Sequence, residues 1–253
     1  MITRYRTAGM ICFWIADLMI IGLLGFYYIT TEQLPRIPDE LDTLGKQAGV
    51  NIYADDGTLI YTINRSIDHV ALEDVAPAFL HGVIATEDAD FYHHRGVSLK
   101  ALAGALASNL TTWRKTRGGS TLTQQIVKNL FLTREKTYRR KVKEVLLAIQ
   151  LEAMFKNTYG NAHKDRLLEL YINGSFYGTN AYGIEDAARV YFDRSARDLS
   201  LLEAATLAGL PNAPTALSPS PGDTASIATA TRRAHHVLNR MVAEGYLTSE
   251  AAD

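Results

Sequence analysis

The first clear pattern along the chain is an apolar run near the amino terminus. Residues Ala8–Ile29 (AGMICFWIADLMIIGLLGFYYI) are 22 positions with a single charge, Asp17. A helix of that length measures about 33 Å, and the hydrocarbon core of a bilayer is roughly 30 Å thick. Arg4 and Arg6 precede the run, so the positive-inside rule places the amino terminus in the cytoplasm and the later residues outside. The pattern predicts one transmembrane anchor, with a cleaved signal peptide and a buried core helix as alternatives.

Beyond the anchor, a linker at 30–49 leads into a region of short strands followed by helices. Val50–Ile63 predicts two strands around a turn at Asp56-Gly57. Capping boxes are expected at Thr121/Gln124 and Ser200/Glu203. Apolar positions at helical spacing predict three further helix faces: Leu99, Leu102, Ala103, Leu106 and Leu110 after a cap at Ser98; Val142, Val145, Leu146 and Ile149; and Ile227, Ala230, Ala234, Val237 and Met241 before a Gly245 cap.

These elements predict a mainly α-helical chain of several parts. They are a cytoplasmic tail at 1–7, the anchor at 8–29, the linker, a globular domain at 50–219, and a helical segment at 220–253 that leaves room for a further domain. Composition agrees, since 47% hydrophobic and 21% charged residues among 253 exclude a disordered chain. The single cysteine, Cys12, excludes an internal disulfide.

An acidic cluster follows directly on an apolar run. Glu87, Asp88 and Asp90 come after Phe79–Ala85. Carboxylates beside apolar residues are candidates for general-base chemistry, whereas the simpler interpretation is a solvated helix end. The neighbouring His93-His94 pair favours a hydrogen-bonded structural His94 over a metal ligand, because adjacent helical positions do not face each other.

A second region combines a polar helix start with a concentration of positive charge. Gly118–Gln125 (GGSTLTQQ) is led by glycine and rich in hydroxyls and amides, which suits phosphate or sugar. Ten basic residues lie between Arg114 and Lys143, although the whole chain has a net charge of −1. This asymmetry indicates an anionic partner, for which lipid headgroups or a lipid-linked phosphate fit better than nucleic acid. Glu144 lies inside the basic stretch, an environment unlike that of Glu87, as expected for two carboxylates with divided roles.

Taken together, four ordered motifs resemble those of the family 51 peptidoglycan glycosyltransferases, found in class A penicillin-binding proteins and in monofunctional enzymes. The motif EDxxFxxHxG corresponds to Glu87–Gly96, GGSTxTQQxxKN to Gly118–Asn129, RKxxE to Arg140–Glu144, and KDxxLELYxN to Lys164–Asn173. The resemblance covers roughly Val50–Pro219. It implies a lysozyme-like, bilobal, mainly α domain behind one transmembrane helix, at the bacterial inner membrane and facing the periplasm or exterior.

The resemblance also implies a reaction and its residues. Lipid-linked growing glycan is transferred onto the 4-hydroxyl of lipid II with inversion, and undecaprenyl pyrophosphate is released. Glu87 is the general base, and Glu144 is the second catalytic carboxylate. The implied substrate-binding residues are Asp88, Phe91, His94, Ser120, Thr121, Gln124, Gln125, Lys128, Asn129, Lys136, Arg140 and Lys141. No tightly bound cofactor is expected, a divalent Mg or Mn ion is left open, and the expected partners are lipid II, the glycan, the membrane and other cell-wall synthesis proteins.

Three departures from the family pattern stand out. Asp193 occupies a usual glycine position, Lys136 a position where Arg is common, and Ala153–His163 is longer than usual. The motifs Ser-x-x-Lys and Lys-Thr-Gly of a transpeptidase are absent from the printed sequence, which leaves open a monofunctional enzyme or part of a bifunctional one. A membrane-anchored glycan-cleaving enzyme and a non-catalytic cell-wall scaffold are the alternative functions.

Overall fold

The computed structural model describes residues 68–100, 119–133, 135 and 137–252, the backbone of two strands within 50–63, and a discontinuous set between 13 and 44. Most of the predicted anchor at 8–29 lies outside these residues, so the anchor stays a prediction. Within the described residues, no helix is both long and apolar enough to cross a membrane. Residues 101–118, which include most of the predicted helix after Ser98, also lie outside the described set.

Most of the described elements are helices, which confirms the mainly α-helical prediction. The strands are β1 (Val50–Tyr53), β2 (Leu59–Ile63), β3 (Phe176–Gly178) and β4 (Ala181–Tyr182), and the helices are α1 (Pro77–Glu87), α2 (Leu122–Phe131), α3 (Tyr138–Tyr159), α4 (His163–Gly174), α5 (Ile184–Phe192), α6 (Leu201–Gly209), α7 (Pro214–Leu217), α8 (Thr224–Ala243) and α9 (Ser249–Ala252). Single 3-10 turns occupy Leu72–Asp74, Gly160–Ala162 and Ala196–Asp198. The antiparallel pairing of β1 with β2 confirms the predicted strand pair.

Two groups of packed helices form one hydrophobic core. Helices α1, α6 and α8 pack against one another, and α2, α3 and α4 form the second group. The core includes Phe79 of α1, Leu122 of α2, Leu147 of α3 and Leu207 of α6, none of which is exposed. Glu87 is the last residue of α1, in the first group, and Gln125 lies on α2, in the second group. Their hydrogen bond joins the carboxylate of Glu87 to the polar face of the second group.

Both capping-box predictions are confirmed, whereas the predicted apolar face of α3 is wrong. Thr121 and Ser200 each cap a helix with the reciprocal bonds of a capping box. On α3, however, Ile149 is exposed and the expected apolar positions Val142, Val145 and Leu146 are only half-buried. The buried residues of that helix are Glu144, Leu147, Ala148, Leu151, Glu152 and Phe155. The pattern failed because two buried positions are charged: Glu144 pairs with cations of the same helix, and Glu152 with Lys164 of α4. On α8, Ile227 of the predicted face is exposed as well.

Asp193 ends α5 in a left-handed conformation. Its φ is 52° and ψ is 42°, and its N–H donates to Arg189 O. Left-handed backbone costs an ordinary L-residue about 1–2 kcal/mol, whereas glycine and, to a lesser degree, Asp and Asn adopt it readily. This conformation explains why the family pattern places glycine here.

We therefore expect Asp193→Val to lower the free energy of unfolding by about 1–2 kcal/mol, because a β-branched side chain adopts φ > 0 poorly. Asp193→Gly should be tolerated without loss. Urea denaturation of the two variants and the native chain measures both effects. Equal stability of the valine and glycine variants would contradict the backbone explanation.

Candidate active site

Glu87 is the last residue of α1, and its carboxylate is held from two sides. Oε2 accepts a hydrogen bond from Gln125 Nε2 at 3.0 Å. Oε1 lies 3.3 Å from Nη2 of Arg233, which reaches across from α8. The Glu87 side chain is only 6% exposed, so solvent screens its charge weakly. The carboxylate thus sits where three helices meet, with one neutral and one cationic partner.

Tyr171 supports this arrangement from α4. Its hydroxyl lies 3.4 Å from Gln125 Oε1 and acts as the donor, which orients the amide so that Nε2 points at Glu87. Burial, together with the nearby charge of Glu87, raises the pKa of Tyr171 well above its ordinary value. Tyr171 therefore remains a protonated donor at neutral pH.

Asp88, the next residue, joins the first motif to the second. Its Oδ2 accepts a hydrogen bond from the backbone N–H of Leu122 at 2.9 Å, at the start of α2. The same oxygen lies 2.9 Å from His94 Nε2. Asp88 and His94 are both almost fully buried. This geometry supports the structural role for His94 and gives Asp88 the task of fixing where α2 begins.

Three further motif residues complete the same junction. Thr121 Oγ1 donates to Gly96 O at 2.6 Å, while Thr121 and Gln124 cap α2 reciprocally. Gly96 has a φ of +84°, and a Cβ there would lie 2.6 Å from Ala148 O. Only glycine fits this close approach of two backbone segments. Thr121, Gln124 and Gly96 therefore build the site from buried positions.

Glu144 is locked inside the basic stretch. Its Oε2 accepts from Arg140 Nη1 at 3.0 Å, and its Oε1 pairs with Lys141 Nζ. Lys141 also donates to Ser120 Oγ at 2.7 Å. The Glu144 side chain is 3% exposed, so this carboxylate holds two cations in fixed positions and has no oxygen left without a partner.

The remaining predicted residues divide between surface and core. Lys128 and Asn129 are exposed near the end of α2, whereas Phe91 is completely buried. Lys136 lies outside the described residues. A cavity of about 80 Å³ adjoins Glu87, and polar side chains including those of Thr86, Asp90, Ser98, Ser120 and Arg240 line it.

The fourth motif lies beneath the site. Lys164 and Glu152 form an ion pair, and both are buried. Thr123 Oγ1 donates to Glu152 Oε2 at 2.9 Å, and Lys164 Nζ stands 4.7 Å from the centre of the Phe91 ring. Because an unpaired buried charge is costly, this pair fixes α3 and α4 against α2. Phe91 thereby becomes part of the support under the site.

Sequence reasoning missed Arg233 and Tyr171. The signal for Arg233 was the Arg232-Arg233 pair on an amphipathic helix, of which only one residue can face the core. Tyr171 stood inside the fourth motif without an assigned role. For metals, the described part of the chain contains no group of three or more His, Cys, Asp or Glu side chains placed to hold an ion.

Comparisons with known proteins identify the family of this chain. The family described as Transglycosylase matches residues 56–242. Penicillin-binding protein 1A of Pseudomonas aeruginosa is 36% identical over 94% of this chain and 28% of its own length. The proteins of that name from Aquifex aeolicus and Escherichia coli are both 39% identical over 92% of this chain, and over 30% and 26% of their own lengths. The chain spans less than a third of these relatives.

Among solved structures, penicillin-binding protein 1A from Haemophilus influenzae matches 82% of this chain and 20% of its own, with 24% identity and a TM-score of 0.41. In this chain, Glu87 lies on the same cavity as Ser120, which accepts a hydrogen bond from Lys141. The family match covers most of the chain, so the protein belongs to the transglycosylase family. The predicted recognition and enzyme class, a peptidoglycan glycosyltransferase, are thereby confirmed.

Proposed function

We propose that this chain polymerises glycan by transferring a lipid-linked growing strand onto the 4-hydroxyl of lipid II. The observation that carries the proposal is the contrast between its two carboxylates. Glu87 keeps a neutral amide on one oxygen, whereas both oxygens of Glu144 are bound by cations. Of these two carboxylates, only Glu87 has an oxygen whose partner is uncharged and readily replaced by a substrate hydroxyl.

Glu87 serves as the general base on the acceptor. A sugar hydroxyl is too weakly acidic to attack at neutral pH, so its proton must be removed as the new bond forms. The acceptor oxygen attacks the anomeric carbon of the donor, and its proton passes to Glu87. The carbon–oxygen bond to the pyrophosphate breaks and takes the electron pair with it. A single displacement of this kind inverts the configuration.

The cations stabilise the charge that develops on the leaving pyrophosphate. Arg140 and Lys141 are fixed by Glu144 before substrate arrives, so no reorganisation is needed during the reaction. Lys128, exposed on α2, supplies a further positive charge, and we assign the same role to Lys136 from the sequence. Ser120, Gln125 and Asn129 position sugar or phosphate groups through neutral hydrogen bonds.

We assign a different role to five residues that the resemblance made substrate ligands. Four of them use their polar atoms in hydrogen bonds at the junction between α1 and α2: Asp88, His94, Thr121 and Gln124. The fifth, Phe91, packs in the core. Their burial and internal partners favour positioning of Glu87 and Ser120 over direct contact with substrate.

A divalent ion would neutralise pyrophosphate charge if the reaction uses one. The described carboxylates beside the site have other partners: Asp88 has His94, Asp90 has Lys100, and Glu144 has two cations. We therefore assign no protein ligand to Mg or Mn, and no step of the proposal depends on the ion.

The setting of the reaction is part of the proposal. Lipid II is embedded in a membrane, so an anchor at 8–29 would keep the site beside its substrate, on the outer face of the inner membrane. The relatives are more than three times as long as the matched region. Association with other cell-wall synthesis proteins is proposed from the motif resemblance alone.

Incubation with labelled lipid II and, separately, with preformed glycan tests the function. The full chain in detergent with magnesium should turn lipid II into a ladder of glycan strands and leave preformed glycan intact. Shortening of preformed glycan would support the cleaving enzyme instead. Binding of both without turnover would support the scaffold.

A further inference from the structure

Arg233 is the one residue of α8 that reaches the carboxylate of Glu87 among the described contacts. Its Nη2 lies 3.3 Å from Glu87 Oε1, and the two side chains are 19% and 6% exposed. A pair so shielded from water is weakly screened, and its partners cannot easily exchange with solvent. The neighbouring Arg232 is exposed and bonds only within α8, to Thr229 Oγ1 at 3.0 Å.

Gly209, at the end of α6, forms a cradle that holds the guanidinium of Arg233. Arg233 Nε donates to Gly209 O at 3.1 Å, at the carboxyl end of α6 where the helix carbonyls carry partial negative charge. Gly209 also leaves the space that the side chain occupies, because a Cβ there would lie 2.7 Å from Arg233 Cγ. The cradle therefore fixes the cation independently of Glu87.

This arrangement makes the two oxygens of Glu87 unequal. Oε1 faces a cation, whereas Oε2 accepts from the neutral amide of Gln125. Both bonds have an ionised acceptor, but Oε1 faces a full positive charge in a weakly screened position, whereas Oε2 faces only the dipole of an amide. Oε1 therefore stays paired with Arg233, and the amide of Gln125 is displaced from Oε2 more easily by a substrate hydroxyl.

We propose that Arg233 is a positioning residue that fixes the rotamer of Glu87 and makes Oε2 the oxygen that receives the acceptor proton. The inference rests on the proposed function, with Glu87 as base. The proton leaves the acceptor hydroxyl and binds Oε2, while Arg233 keeps all its own protons. When Glu87 becomes neutral, the bond to Gly209 O still compensates the cation.

Substitution of Arg233 tests the inference through the kinetic constants. Arg233→Gln should lower kcat about 10- to 100-fold, because a misplaced base reacts slowly, and change KM for lipid II less than about threefold. Arg233→Lys should recover only part of the loss, since an ammonium lacks the planar fork that spans Gly209 O and Glu87. Arg232→Gln is the matched control on the same helix and should leave both constants unchanged.

A second variant moves Arg233 without altering it. Gly209→Ala places a methyl group against Arg233 Cγ and should lower kcat to a similar degree with the guanidinium still present. Gly82→Ala is the matched control, because its Cβ would crowd Ala208 and Val237 at 3.1 Å in the same helix interface without touching Arg233. It should lower the melting temperature and leave kcat, measured well below that temperature, unchanged.

The outcomes separate the inference from the function on which it rests. Native kcat in Arg233→Gln, or equal losses in Gly209→Ala and Gly82→Ala that follow the melting temperature, would overturn the positioning role while polymerisation by the native chain upholds the function. A rise in KM at constant kcat would overturn it as well, because it would make Arg233 a substrate ligand. Absence of polymer from the native chain would overturn both.

Discussion

Glu87→Gln should reduce the rate of glycan polymerisation by about 10²- to 10⁴-fold, the range that general-base catalysis contributes. Glutamine has nearly the same size, and its carbonyl oxygen can still accept a hydrogen bond from Arg233, but it cannot take up a proton. The loss should therefore appear in kcat rather than in KM for lipid II. Initial rates with labelled lipid II in detergent measure both constants.

The control for this variant is Glu169→Gln. Glu169 is also a largely buried glutamate with an arginine partner, Arg166, at 3.0 Å, but it lies on α4 and makes no described contact with Glu87. It should retain the native rate. Equal polymerisation by the native chain and Glu87→Gln, with both folded, would remove Glu87 as the base.

The second large effect concerns Glu144→Gln. The neutral amide would leave Arg140 and Lys141 without the charge that fixes them, and its N–H₂ group would face one of the two cations. We expect the polymerisation rate to fall about 100-fold, because preorganised cations lose their positions. The free energy of unfolding should fall by about 1–3 kcal/mol, mostly through Arg140, since Lys141 is 40% exposed and partly screened.

Glu185→Gln separates this catalytic effect from lost stability. Glu185 is likewise a buried glutamate in an i, i+4 pair, with Arg189 Nη2 at 2.9 Å, but it lies on α5. It should be destabilised to a similar degree in urea denaturation, while its polymerisation rate at low temperature stays native. A similar loss of rate in both variants would mean that Glu144 acts only through stability.

The sequence was sufficient to predict the helical class and several of the residues that meet at the site. Glu87, Gln125 and the Glu144 cluster were predicted from motifs, and the capping box at Thr121 follows from local chemistry that tertiary contacts do not alter. The buried face of α3 was not predictable from hydrophobicity, because Glu144 and Glu152 are buried with cations that come from the same helix and from α4.

Motif resemblance could not separate residues that contact substrate from those that build the site. Asp88 and Thr121 are polar and lie beside Glu87 in sequence or space, yet their atoms are used at the start of α2. Arg233 was missed for the opposite reason. It lies 146 positions beyond Glu87, and although the apolar face of α8 places Arg233 nearer the core than Arg232, no local pattern indicates that it pairs with Glu87.

Counting the products of the native chain tests whether each new glycosidic bond releases one lipid pyrophosphate. With doubly labelled lipid II in detergent and magnesium, glycosidic bonds formed and undecaprenyl pyrophosphates released are determined in the same time course, beside Glu87→Gln. We expect one lipid pyrophosphate for each new bond, with both products falling together in the variant. Glycan bonds formed without release of lipid pyrophosphate, or native release in Glu87→Gln, would contradict this expectation.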